Sequence, residues 1–389
     1  MTDIVKNNSG TPDISFFLYH RDRPVQEGDE NWKQQIPLNR NHISATTESS
    51  VCFGDYFQAV ENFLRADHFQ AMVPAFSERL GPAFSPDEIS AVRICLEKHG
   101  EFYHPARIDA DGHGITIPFA VNAAVSEAGK ACIAGEYDLL KHFPFPFVPK
   151  VWKLGSGTSA SGMNFPMFMG EWFDGFHEFH ISSGQDEIQQ TVVWAPEGRF
   201  FLTQEQTCDL YREISRILTL CYNIETFEHI FPWHHASGDF VAKIGNGHAD
   251  VKLITVRQHI PIVTIRPEDA DEDDLVYALL LFLIKLSFHT RVDRREGTGE
   301  LVWADDLAVA PTLEGFFQGL GQKEPPFSDE LPPFFLHYVL SLPEKEIRET
   351  AFDIAGGYPA QSPELPVIRT NLERHVKILY QTLHEGKLL

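Results

Sequence analysis

The sequence predicts an α+β fold in which a small mixed β-sheet lobe precedes a larger, mainly helical lobe, with a helical extension at the N-terminus. Three observations carry this. Residues 53–81 place apolar side chains at mostly helical spacing; two β-rich segments flank the turn-rich "DADGHG" within "FYHPARIDADGHGITIPFAVNAAVS"; and after Asp174 long periodic segments dominate. The boundaries that follow are 1–90 for the arm and helical extension, 91–173 for the small lobe and 174–389 for the helical lobe.

Residues up to about Ser50 are polar and weakly periodic and read as a loosely packed arm. "SPDE" at Ser85 reads as a helix start, with a capping serine, a proline and two acids. "AVRICLEKHG" alternates at Val92, Ile94 and Leu96 as a strand would, although a helix continuing from Ser85 fits as well. "EAGKACIAGEYDLLKHF" reads as a helix with Ile133, Tyr137, Leu140 and Phe143 near one stripe. "FVPKVWKLG" and "FPMFMGEWF" read as strands separated by "SGTSASGMN". Beyond Asp174, "TQEQTCDLYREISRILTLCYNIETF" carries a capping signature and a stripe through Leu210, Ile214, Ile217, Leu218 and Cys221. "DVKLITVRQHIPIVTIR" is strand-like, and "PEDADEDDLVYALLLFLIKLSF" begins acidic and turns apolar, as suits a helix dipole. "FFLHYVLSL" and "NLERHVKILYQTL" read as further helices, and no internal repeat is found.

With 389 residues, 43% hydrophobic content and 31 Phe, the chain can bury a large, stiff core. A formal net charge of −23 repels phosphate backbones and anionic headgroups, so neither nucleic acid nor a membrane is expected as partner. The five cysteines are scattered and form no CxxC, which fits a reducing cytoplasm, and "MTDIVKNNSGTPD" does not read as a signal peptide. The longest apolar run, "LVYALLLFLIKLSF", is interrupted by Lys285 and falls short of the ~20 residues that cross a bilayer.

Three stretches narrow the class: "GEYDLLKHFPFPFVPKVWKLG", "MFMGEWFDGF" and "HHASGDF". Together with the element order they resemble the protein-kinase-like fold in its aminoglycoside/choline phosphotransferase form, over roughly Ala91 to the C-terminus. The resemblance implies a nucleotide-binding small lobe and a catalytic helical lobe, using ATP or GTP on a small-molecule hydroxyl acceptor. By the same resemblance Glu136 would pair with a basic residue near the phosphates; Asn122, a neutral hydrogen-bond donor, stands where that Lys is sought, and Lys130 and Lys98 are the nearest lysines. Glu171, Trp172 and Phe173 would offer backbone groups to an adenine edge. Asp239 would accept or orient the acceptor's proton, with His235 beside it in the loop.

The pattern departs from that family at the metal. An Asn is sought five residues beyond the catalytic Asp, where this chain has Ile244, flanked by Lys243 and, further on, Asn246; and a second Asp is sought where it has Thr255 and Arg257, Asp250 lying too early. Ordinary magnesium assistance is therefore in doubt, and Arg257 would be free to hold a phosphate directly. Two further classes are weighed: a kinase-like nucleotide-binding protein without catalysis, and a metalloenzyme built on His177, His180, His229, His234 and His235. "GSGTSASG" lacks the Lys-Ser/Thr ending of a phosphate loop and reads as a flexible hairpin.

Overall fold

A computed structural model describes residues 11–19, 23–37, 51–100, 102–183, 188–234, 238–245, 247–265, 269–325, 327–385 and 388. The fold is mixed α and β, and its contacts divide the chain into two units, 1–144 with 149–174, and 145–148 with 175–389.

The first unit is built on one seven-stranded sheet. In chain order it contains β1 (Asp13–Leu18), β2 (Arg23–Val25), α1 (Glu30–Lys33), α2 (Phe53–Arg65), α3 (Val73–Leu80), β3 (Ile89–Leu96), β4 (Tyr103–Gly112), β5 (Ile115–Ala124), α4 (Glu127–His142), β6 (Val151–Thr158) and β7 (Asn164–Glu171). The spatial order is β2-β1-β3-β4-β5-β7-β6, antiparallel throughout except that β1 runs parallel to β3. β4 and β5 meet through His113 and Gly114, both at positive φ (51° and 78°), the conformation that a two-residue hairpin turn requires. Val92, Ile94, Ala106, Ile108, Phe119, Val121, Met167 and Met169 share one buried cluster with Tyr56, Phe57, Val60 and Phe63 of α2. Alternate residues of these strands line one sheet face, and α2 covers it.

Two expectations change here. "DISFFL", placed in the loose arm, forms β1, whose Phe16 stacks edge-on to Trp32 at 5.4 Å and tilts against Phe57 at 5.2 Å. A parallel pairing with β3, more than seventy residues on, leaves no local mark in the sequence. "SPDE" does cap, with Ser85 and Glu88 satisfying each other's backbone, but it closes a single 3₁₀ turn before the chain extends into β3.

Gly157 of β6 lies where α2 passes over the sheet, and a Cβ there would stand 1.8 Å from the carbonyl oxygen of Ala59. Because the obstacle is backbone, the helix must lift. Gly157→Ala is expected to lower unfolding stability by about 1–3 kcal/mol, the usual range for overpacking. Denaturant titration reads this directly, and an unchanged midpoint would contradict the close approach.

The second unit begins with β8 (Glu178–Ser183), β9 (Gln189–Ala195) and β10 (Gly198–Phe201), a three-stranded antiparallel sheet. This corrects the expectation of helices directly after Asp174. There follow α5 (Gln204–Cys221), β11 (Glu228–Ile230), β12 (Phe240–Ile244), β13 (Ala249–Leu253), β14 (His259–Pro261), α6 (Glu272–His289), β15 (Val292–Arg294), β16 (Leu301–Trp303), α7 (Val309–Leu320), α8 (Phe327–Ser341), α9 (Glu344–Gly356) and α10 (Leu365–Glu385). β12 pairs with β13 and β11 with β14, both antiparallel. Thr203 and Gln206 cap α5 reciprocally, and Asp271 and Asp274 do the same for α6. α6 is buried nearly all round, leaving a stripe through Tyr277, Leu281 and Lys285 toward solvent. Among the described residues no helix is long and apolar enough to cross a membrane.

Candidate functional site

In the first unit, Ser126 caps α4 by accepting the Gly129 N–H at 3.1 Å, and the helix carries Glu136 inward until it is 1% exposed. A buried carboxylate demands a partner. Beside it stands Tyr103 of β4, whose hydroxyl also lies 3.2 Å from Cys132 Sγ; burial, then the Glu136 charge, push the Tyr103 pKa far up, so the phenol stays protonated and donates. Lys130 spends its ammonium on exposed Glu127 at 2.8 Å. Asn122 sits half-buried in β5, between Pro105 and Phe168 of the flanking strands.

At the end of β7 the Glu171 N–H donates to the Lys150 carbonyl at 2.7 Å, and its carboxylate accepts the Lys150 N–H at 3.3 Å. That amide is already committed. The Arg107 guanidinium lies 5.5 Å from the Trp172 ring centroid and is fixed by Asp109 at 3.0 Å and Asp174 at 2.9 Å. Phe173 is half-buried. Arg107 was not singled out in the sequence. Its alternation with Asp109 on one face of a strand was the signal that marks it.

In the second unit the chain leaves β11 and enters residues 231–239. Here Asp239 is fully buried, and it does not project toward solvent as a base awaiting an acceptor would. Arg257 Nη1 and Nη2 donate to its two oxygens at 2.6 and 2.7 Å, and the His234 backbone N–H donates to one of them at 2.8 Å. The Asp239 carbonyl in turn accepts the Ile254 N–H at 2.8 Å, tying the loop to the segment after β13. Such a two-pronged, charge-assisted pair fixes geometry and cancels charge together.

Phe231, Trp233 and His234 pack against His289 of α6. His289 donates from Nε2 to the Trp233 carbonyl at 3.0 Å, so its Nδ1 accepts the Tyr358 hydroxyl at 3.0 Å. The His234 ring, a quarter exposed, lies 3.2 Å from Glu364. His235 and Asn246 lie outside the described residues.

The donor set around Asp239 does not fit magnesium. Both carboxylate oxygens face a guanidinium, and Thr255 and Arg257 occupy the stretch where a second carboxylate is sought. Nor, among the described residues, are the candidate histidines gathered about a common point. His229 is engaged with Ile260 and Lys285, while His180 is buried against Trp194 at 4.8 Å in the three-stranded sheet. Among the described residues no group of three His, Cys, Asp or Glu is placed to hold a metal ion. No protein-family model matches the chain, and no curated protein matches its sequence.

Proposed function

We propose that the chain is a kinase-like protein that binds a purine nucleotide, ATP or GTP, without magnesium and without transferring its phosphate. The bidentate Asp239–Arg257 pair carries this reading. The kinase pattern spaces its catalytic Asp five residues before a metal-holding Asn. Counted back from Asp239, that spacing falls on His234, whose N–H donates to the Asp239 carboxylate across five residues. On this count Asp239 takes the metal-holding place rather than that of the base, and the Arg257 guanidinium stands where a divalent cation would. The Asp239 charge is thereby neutralised without an ion.

Two further features support the reading. In the first unit the third strand of the run β3-β4-β5 leads into α4, which presents Glu136 as the kinase-like small lobe presents its helix glutamate. That glutamate meets a neutral tyrosine hydroxyl where a transferase keeps a lysine, which removes a cation that phosphoryl transfer uses. Calorimetry with ATP and with GTP tests the proposal. Binding of equal affinity in EDTA and in magnesium is expected, and no heat from either nucleotide at millimolar concentration would overturn it.

A further inference from the structure

Lys285 closes the solvent-facing stripe of α6, and its side chain turns back over the start of the 231–239 loop. Its Nζ lies 3.3 Å above the centroid of the Phe231 ring and 3.0 Å from His229 Nε2. His229 Nδ1 lies 2.8 Å from the Ile260 carbonyl, which only accepts, so Nδ1 carries the ring proton and Nε2 offers a lone pair to the amine. Among the described residues no carboxylate comes within 4 Å of Nζ. Glu364 acts on it only at longer range and is itself engaged by His234 at 3.2 Å. The charged and titratable groups facing the amine are thus His229 from β11, Glu364 from the segment before α10, and, through His229, His259 from β14.

An ammonium needs solvation or an anion. The ring face returns part of that loss, ~0.5–2 kcal/mol for a cation over an aromatic, and a neutral imidazole returns one hydrogen bond. Neither replaces a carboxylate. Burial accordingly pulls the Lys285 pKa down to about 7. Burial, with the neighbouring ammonium, pulls His229 down to about 3, which keeps its Nε2 an acceptor.

We propose that Lys285 is a nucleophilic amine that condenses with small aldehydes to form an imine, with His229 as the group that positions it. The amine lone pair adds to the carbonyl carbon, the nitrogen gives up its two protons in turn and the oxygen takes up two, and the C–O bond breaks to release water as the C=N bond forms. No oxidant or reductant is needed. The same arrangement, an amine kept uncharged by an apolar surface, is what lysine imine chemistry exploits. The inference stands apart from nucleotide binding, since none of its groups belongs to the Asp239–Arg257 pair.

The test is reductive methylation of the intact protein with limiting formaldehyde and cyanoborohydride, which traps the imine by hydride reduction, followed by peptide mass spectrometry. At pH 7 Lys285 is expected to be modified at least tenfold faster than Lys345, which is three-quarters exposed. Its rate is expected to reach half its maximum near pH 7. Lys285→Arg should remove the fast site and leave Lys345 unchanged. Modification of Lys285 no faster than Lys345 at pH 7, or a rate still climbing above pH 9, would overturn the proposal.

Discussion

Replacing Arg257 by Met is expected to cost about 3–5 kcal/mol of unfolding stability, because it strands the Asp239 carboxylate in the interior. Asp239 is 1% exposed at its side chain and Arg257 13%, so neither charge can turn to water when its partner goes. The pair also fastens the loop after β11 to the segment after β13, since Asp239 bonds the His234 N–H through its side chain and the Ile254 N–H through its backbone. Arg257→Met and Asp239→Asn should therefore couple, the double variant losing clearly less than the two singles summed. Additive losses in urea titrations would show that the two side chains do not depend on each other.

Acid is expected to unfold the protein early, beginning near pH 6.5 and well before most carboxylates titrate. His229 and His375 are buried neutral, each pulled by burial first and then by a nearby cation, Lys285 and Arg291 respectively, down to about 3. His375 accepts from Arg291 Nη1 at 3.2 Å and bonds the Ser287 hydroxyl at 2.9 Å, an arrangement that a second ring proton would break. Between pH 6.5 and 3 the unfolded chain binds protons that the folded chain refuses, so stability falls as pH drops through that window. At pH 4 the loss amounts to about 3 kcal/mol for each ring. Urea midpoints at pH 7 and pH 4 measure it, and His375→Gln should flatten the pH dependence. Equal midpoints at the two pH values would mean that these rings titrate freely in the fold.

Where the physics is local, the sequence showed the structure. The β4–β5 hairpin follows from Gly beside a turn residue, and the caps of α5 and α6 follow from Thr203 and Asp271 standing three residues before Gln206 and Asp274. Lys285 announced itself by breaking an apolar run. What stayed hidden depends on distant partners. β1 reads as part of a polar arm until β3 lies beside it, and the β8–β10 sheet is three short strands without a strong alternating pattern. At the candidate site both Asp239 and Arg257 were legible as residues of interest, one as a base and the other as a phosphate holder. Eighteen positions separate them, and no spacing rule ties an Asp to an Arg at that distance. Their pairing changes what each is able to do: both carboxylate oxygens are turned to a guanidinium rather than to an acceptor hydroxyl, and a guanidinium spent on them has little left for phosphate.

The most direct measurement is phosphate release and transfer from ATP and GTP by the purified chain, in magnesium and in EDTA, beside calorimetric binding of the same nucleotides. Binding that ignores magnesium, with no release above buffer in either condition, is the result expected if Arg257 stands in the place of the metal. Magnesium-dependent release that is abolished by Asp239→Asn would contradict it.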